Sequence, residues 1–141
     1  MALTQQKKSN IKGIQIFLMT RKGKFDAKSP TNNQCKVKGH IGYNYTIKIA
    51  VEGVRASLDN DGFIIDHVDI DSFVKNCGLK GSCEDMHLII STKFPAFLKR
   101  KNIKLLGYCC QIKPVGEDVM AFMEYVKVVN GDHTILPLLS I

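Results

Sequence analysis

Nothing in this chain of 141 residues approaches the ~20 consecutive apolar residues that a bilayer-spanning helix needs. The start, MALTQQKKSNIKG, puts no apolar stretch behind its lysines, so it does not read as a secretory signal. Both absences point to a cytoplasmic protein with no membrane partner. Tryptophan is missing altogether, which excludes nothing by itself. Cysteines do not pair up. There are five, an odd number, with Cys109 and Cys110 adjacent in an apolar run, so they read as small core or sheet residues rather than disulfide partners. Cys77 and Cys83 lack the histidines or second cysteine pair that zinc-finger spacing requires. Walker and Rossmann glycine spacings are absent, as is Gly-x-Ser-x-Gly. Carboxylates are scarce: thirteen Asp and Glu stand against twenty Lys and Arg, leaving a formal charge of +7. That balance suits an anionic partner such as nucleic acid, an acidic headgroup or a nucleotide-like phosphate, and equally suits a merely lysine-rich surface.

What is present is an ordinary globular composition, 45% hydrophobic, which is enough for one core. We expect a polar, frayed tail over residues 1–10 and a single domain over 11–141. Ile11 to Met19 alternates as a strand, and TRKGKFDAKSPTNNQ reads as a loop with Phe25 anchoring it. Tyr45 to Gly53 gives the clearest strand, Ile47, Ile49 and Val51 alternating with Thr46, Lys48 and Ala50. Asn60-Asp61-Gly62 is a turn signal, after which Phe63, Ile64 and Ile65 open another strand. The period then changes to 3.6: Ile70, Phe73, Val74 and Cys77 share one helix face, with Asp66, Asp69 and Asp71 in or before the first turn. These carboxylates read as helix caps rather than as a metal cluster.

Cys83 to Ile90 is ambiguous between strand and short helix. Thr92 is a cap candidate for a second helix, with Pro95 in its first turn and Lys99, Arg100, Lys101 and Lys104 at its end. Leu105 to Lys113 and Val119 to Val129 read as strands. Asn130-Gly131 then turns the chain into a last strand, Thr134 to Leu139. The fold class is α+β: an antiparallel sheet with two helices on one face and an extra C-terminal β-hairpin.

Phe25-Asp26-Ala27, Cys35, Gly39-His40, the strand from Tyr45 to Gly53, and Gly62-Phe63-Ile64-Ile65-Asp66 stand in an order that resembles the 6-pyruvoyl and 6-carboxy tetrahydropterin synthases. That family has the tunnelling fold (T-fold), a four-stranded antiparallel sheet with two helices whose subunits close a barrel together. The resemblance covers roughly residues 25–113 through short motifs, and it implies a homo-oligomer that binds a purine- or pterin-like molecule. It assigns the catalytic base to Cys35, an acidic partner to Asp85, and a zinc ligand to His40. The family's other two zinc histidines fall on Ser29 (or Lys28) and Lys38, and the histidine that follows its acidic partner falls on Met86, with His87 one place further on. The carboxylate that holds the pterin ring has no counterpart at Lys113-Pro114-Val115, and Glu117 comes three positions late. Ile41 and Gly42 read as two inserted residues before the strand. His67, His87 and His133 share no spacing with His40. Without the zinc, Cys35 has no means of stabilising an enediolate.

Two functions follow. One is a degenerate, non-catalytic relative of the pterin synthases that keeps the assembly and the heterocycle pocket. If it were active, it would be a synthase-like lyase with zinc. The alternative is a small basic nucleic-acid-binding protein, of the kind viral accessory proteins provide. It would use Lys99, Arg100, Lys101, Lys104 and the Arg21 to Lys38 loop on phosphates, with Tyr43 and Tyr45 stacking on bases or lying on a sheet face.

Overall fold

A computed structural model describes residues 15–28, 40–53, 65–115 and 123–141. Four strands form one antiparallel sheet in the order β1-β2-β3-β4: β1 Ile16–Lys28, β2 His40–Glu52, β3 Leu105–Pro114 and β4 Met123–Val128. Two helices, α1 His67–Asn76 and α2 Cys83–Arg100, cover one face, α1 lying over β1 and α2 over β3 and β4. The class is α+β, as the sequence implies.

The two-residue period decides which side of each strand is buried. Tyr43, Tyr45, Ile47, Ile49 and Val51 of β2 point toward the helices, as do Tyr108, Cys110 and Ile112 of β3. They meet Ile70, Phe73 and Val74 of α1 and Met86, Ile90, Phe94 and Leu98 of α2. Those α1 residues are the face that the 3.6 period singles out, and Asp66 caps the helix by accepting from the Val68 amide at 3.1 Å.

Several expectations change. β1 runs through the segment read as a loop, because Arg21, Gly23, Phe25 and Ala27 continue the inward alternation between exposed Thr20, Lys22, Lys24 and Asp26. Dense Lys and Gly mask that alternation in the sequence. β2 starts at His40, so Ile41 and Gly42 belong to the strand and pair with Ala27 and Asp26. Ile65 is a bend rather than strand, and Phe63 and Ile64 lie outside the described residues.

The second helix begins nine residues before Thr92. Ser82 accepts from the Asp85 amide at 3.1 Å while Asp85 accepts from the Ser82 amide at 3.2 Å, a reciprocal capping box. Thr92 therefore sits mid-helix, its hydroxyl donating to the Leu88 carbonyl. Pro95 lies inside the helix, where it has no N–H for the Ser91 carbonyl four residues back. Lys127 of β4 fills that gap, its Nζ donating to the Ser91 carbonyl at 3.0 Å.

The C-terminal hairpin is also replaced. Asn130 supplies the turn at φ 66, but His133–Leu139 is a 3-10 helix. Asp132 caps it at Thr134, and Pro137 cannot donate to a strand ladder. Ile135 and Leu139 lie on the sheet's other face against Ala50 and Cys109. Gly107 admits them, since a Cβ there would lie 2.9 Å from Ile135 and 3.0 Å from Leu139. Cys109 and Cys110 thus point to opposite faces, both fully buried, and burial holds the Cys109 thiol up to about 12.

Candidate functional site

The end of the sheet where β1 finishes and β2 begins lies next to the start of α2. Lys28 is opposite His40 in the β1–β2 ladder, and its carbonyl accepts from the Gly81 amide at 3.0 Å. Gly81 directly precedes Ser82, the cap of α2. One residue, Lys28, therefore ties the start of β2 to the start of the helix that carries Asp85. Asp85 itself is exposed, and its carboxylate is engaged in the capping box. Cys35 lies outside the described residues.

His87 stands in a different place. It is buried, stacked on Tyr125 with ring centroids 5.8 Å apart, and its Nε2 lies 3.0 Å from the Met123 carbonyl, so the neutral ring donates there. Burial pushes its pKa below the ordinary histidine value. It is a core histidine that ties α2 to β4.

Among the described residues, no three His, Cys, Asp or Glu side chains are grouped to hold a metal. Lys38 and Ser29 (or Lys28) at two of the three family positions offer a zinc ion no imidazole. The residues present do not fit the zinc that the family resemblance implies.

Beside this end of the sheet, between β1 and α1, lie two neighbouring cavities that share Lys24 and Lys75. The larger, about 480 Å³, is bounded by Phe25, Asp26, Val74, Gly78 and Leu79. The smaller, about 200 Å³, is bounded by Arg21, Gly23, Tyr45 and Asp71. Asp71 is fixed from two strands. Arg21 donates to it through Nε at 2.9 Å and through its terminal nitrogen at 2.6 Å, a two-pronged pair, and the Tyr45 hydroxyl donates to the same carboxylate.

The Arg21 guanidinium holds the Asp71 carboxyl below its ordinary range, and the Tyr45 hydrogen bond adds to this. Burial, helped by the Asp71 charge, keeps the Tyr45 phenol protonated well past its usual pKa. Tyr45 reaches Asp71 by laying its ring across Gly23, where a Cβ would stand 2.5 Å from the ring. The arrangement presents a fixed carboxylate, a phenol and three cations around a small cavity.

The sequence does not reveal this cluster. Asp71 reads as a helix-start carboxylate, yet it is the fifth residue of α1, past the first turn, and its position beside Ile70 on the rim of the apolar face is the one available signal. Its partners lie 50 and 26 residues away. Tyr43 and Tyr45 are buried, Tyr43 stacked on Phe25 with centroids 5.2 Å apart, so both serve the sheet face and are not exposed stacking platforms. Lys101 pairs with Asp69 at 3.5 Å and Lys104 with Glu52 at 3.2 Å, while Lys99 and Arg100 are exposed in the last turn of α2.

No protein-family model matches the chain, and no curated protein matches its sequence. Among solved structures, the chain is similar to a dihydroneopterin aldolase from Burkholderia thailendensis bound to guanine. The two share 12% identity at a TM-score of 0.54, over 83% of this chain and 93% of the other. At that identity the likeness establishes the fold: a four-stranded antiparallel sheet backed by two helices, as in the tunnelling-fold proteins.

Proposed function

We propose that this chain is an oligomeric tunnelling-fold protein that binds a purine- or pterin-like heterocycle and does not carry out the zinc-dependent reaction of the pterin synthases. One observation carries the reading. The fold matches, over most of both chains, an enzyme whose structure holds guanine. Two features of the molecule support it. β1 and β4 are open edges of the described sheet, ready to pair with another copy. The cavities beside β1 place the half-buried Asp71 carboxylate and the exposed Lys75 ammonium where the donor and acceptor edges of such a ring can reach them. In a non-catalytic role Cys35 and Asp85 need no metal, and His40 stands as the remnant of a ligand set.

The test is a paired measurement of mass by light scattering and of guanine and neopterin binding by calorimetry. The expected result is an integer multiple of the chain mass with saturable binding that weakens on Asp71→Asn. A monomer at high concentration with no heat for either compound would overturn the reading. Stoichiometric zinc lost on His40→Ala would restore the catalytic version.

A further inference from the structure

Away from the sheet edges, the outer surface of the helix layer carries a built groove. α1 and α2 lie side by side in opposite directions, joined by two ties. Near the start of α1, Lys101 pairs with Asp69 at 3.5 Å. At its end, the Lys93 ammonium donates to the Cys77 carbonyl at 2.8 Å. Between the ties the helices do not close on each other. Ala96 is too small to fill the space opposite Ser72 and Asn76, and a cavity of about 420 Å³ remains. That volume falls within the range of small-molecule sites, roughly 300–1,000 Å³.

The lining has two parts. Phe73 and Phe97, with centroids 5.1 Å apart and planes tilted by 43°, form an aromatic floor next to the Ala96 methyl group. Lys93 and Arg100 stand seven residues apart on α2, hence on the same face, with Ala96 between them. No carboxylate lines the groove, and Arg100 has no ion-pair partner among the described residues. Lys93 uses one donor on Cys77 and keeps the others. Two uncompensated cations on the same lining as an aromatic floor select a ligand with one flat apolar ring and one anionic group.

We propose that the α1–α2 groove is a binding site for small aromatic carboxylates, with the ring against Phe73, Ala96 and Phe97 and the carboxylate on the Arg100 guanidinium and Lys93. The site is separate from the proposed heterocycle pocket and from the sheet edges, so it does not rest on that reading.

Titrating the full chain with 1-naphthoate while following the Ala96 methyl and the Phe73 and Phe97 ring resonances tests the site. Saturable shifts confined to those residues are expected. Arg100→Gln should weaken binding about tenfold or more, the loss of a charge-assisted pair. Ala96→Phe, at an exposed position, should abolish it by filling the groove. Uncharged 1-naphthalenemethanol should bind at least about tenfold more weakly than the acid, and inorganic phosphate alone should leave the ring resonances unmoved. Absence of saturation, shifts centred elsewhere, unchanged affinity in Arg100→Gln, or equal binding of the alcohol would each overturn the proposal. Should Ala96→Phe fail to fold, Arg100→Gln and the alcohol decide the matter.

Discussion

Asp71 illustrates what a single side chain does when three elements converge on it. Its folded pKa is depressed by Arg21 and Tyr45, so its contribution to stability is present above the unfolded value near 3.8 and disappears as pH falls through the lower folded value. Tyr45 works in the opposite direction. Its folded pKa is raised, so its contribution is present below the ordinary value of 10.0 and declines at higher pH, where only the unfolded chain ionises. His87, with its pKa lowered by burial, costs stability once pH drops below 6.5. The thermal midpoint should therefore fall in acid in two stages, and His87→Gln should remove the earlier stage while Asp71→Asn reduces the later one. Circular dichroism melts from pH 3 to 8 would check this. Gly23→Ala should act on the same cluster from below. Its methyl group has no room under the Tyr45 ring, so the Tyr45–Asp71 hydrogen bond should break, with a loss of about 1–3 kcal/mol measured by urea unfolding.

At the scale of elements, α2 shows how a helix tolerates an internal proline. Pro95 leaves the Ser91 carbonyl without its usual amide, and Lys127 from the neighbouring strand supplies the donor. Lys127→Met should then cost about 1 kcal/mol in a Pro95 background. It should cost less in Pro95→Ala, where the restored amide takes the carbonyl. A double-mutant cycle by chemical denaturation measures that coupling. The second half of this helix, with its basic last turn, was legible in advance, and its first half was not. Ser82-x-x-Asp85 departs from the usual Glu or Gln at the third position of a capping box, and Pro95 disguised the long helix as a shorter one. α1 was fully legible, because Ile70, Phe73, Val74 and Cys77 carry an unbroken period and Asp66 stands at its cap. β1 was half legible: its polar half alternates inward and outward, but lysine and glycine conceal a strand whose inward face is Arg21, Gly23, Phe25 and Ala27.

The whole molecule is a sheet covered on both sides, by helices on one face and by the C-terminal 3-10 segment on part of the other. Leu139 is a main anchor of that second cover, and Leu139→Ala should cost about 2–5 kcal/mol, read from the shift in denaturation midpoint. Leu18 of β1 and Val126 of β4 remain exposed. Among the described residues β1 and β4 are the edges of the sheet, and it is here that the oligomer proposed above would make its contacts.

By itself the sequence determined the class of the fold, the buried faces of β2 and α1, and the shortage of imidazoles that weighs against a zinc site. Each of these depends on residue type or on a local period, and needs no knowledge of distant neighbours. Tertiary structure alone decided the rest. It brought Arg21 and Tyr45 onto Asp71, turned the expected last strand into a 3-10 helix, joined two helix fragments through Pro95, and opened the groove at Ala96. The Asp71 cluster and the Lys127 cover of Ser91 turn on residues 26 to 50 positions apart coming within hydrogen-bonding distance, and periodicity along a chain carries no record of such pairings.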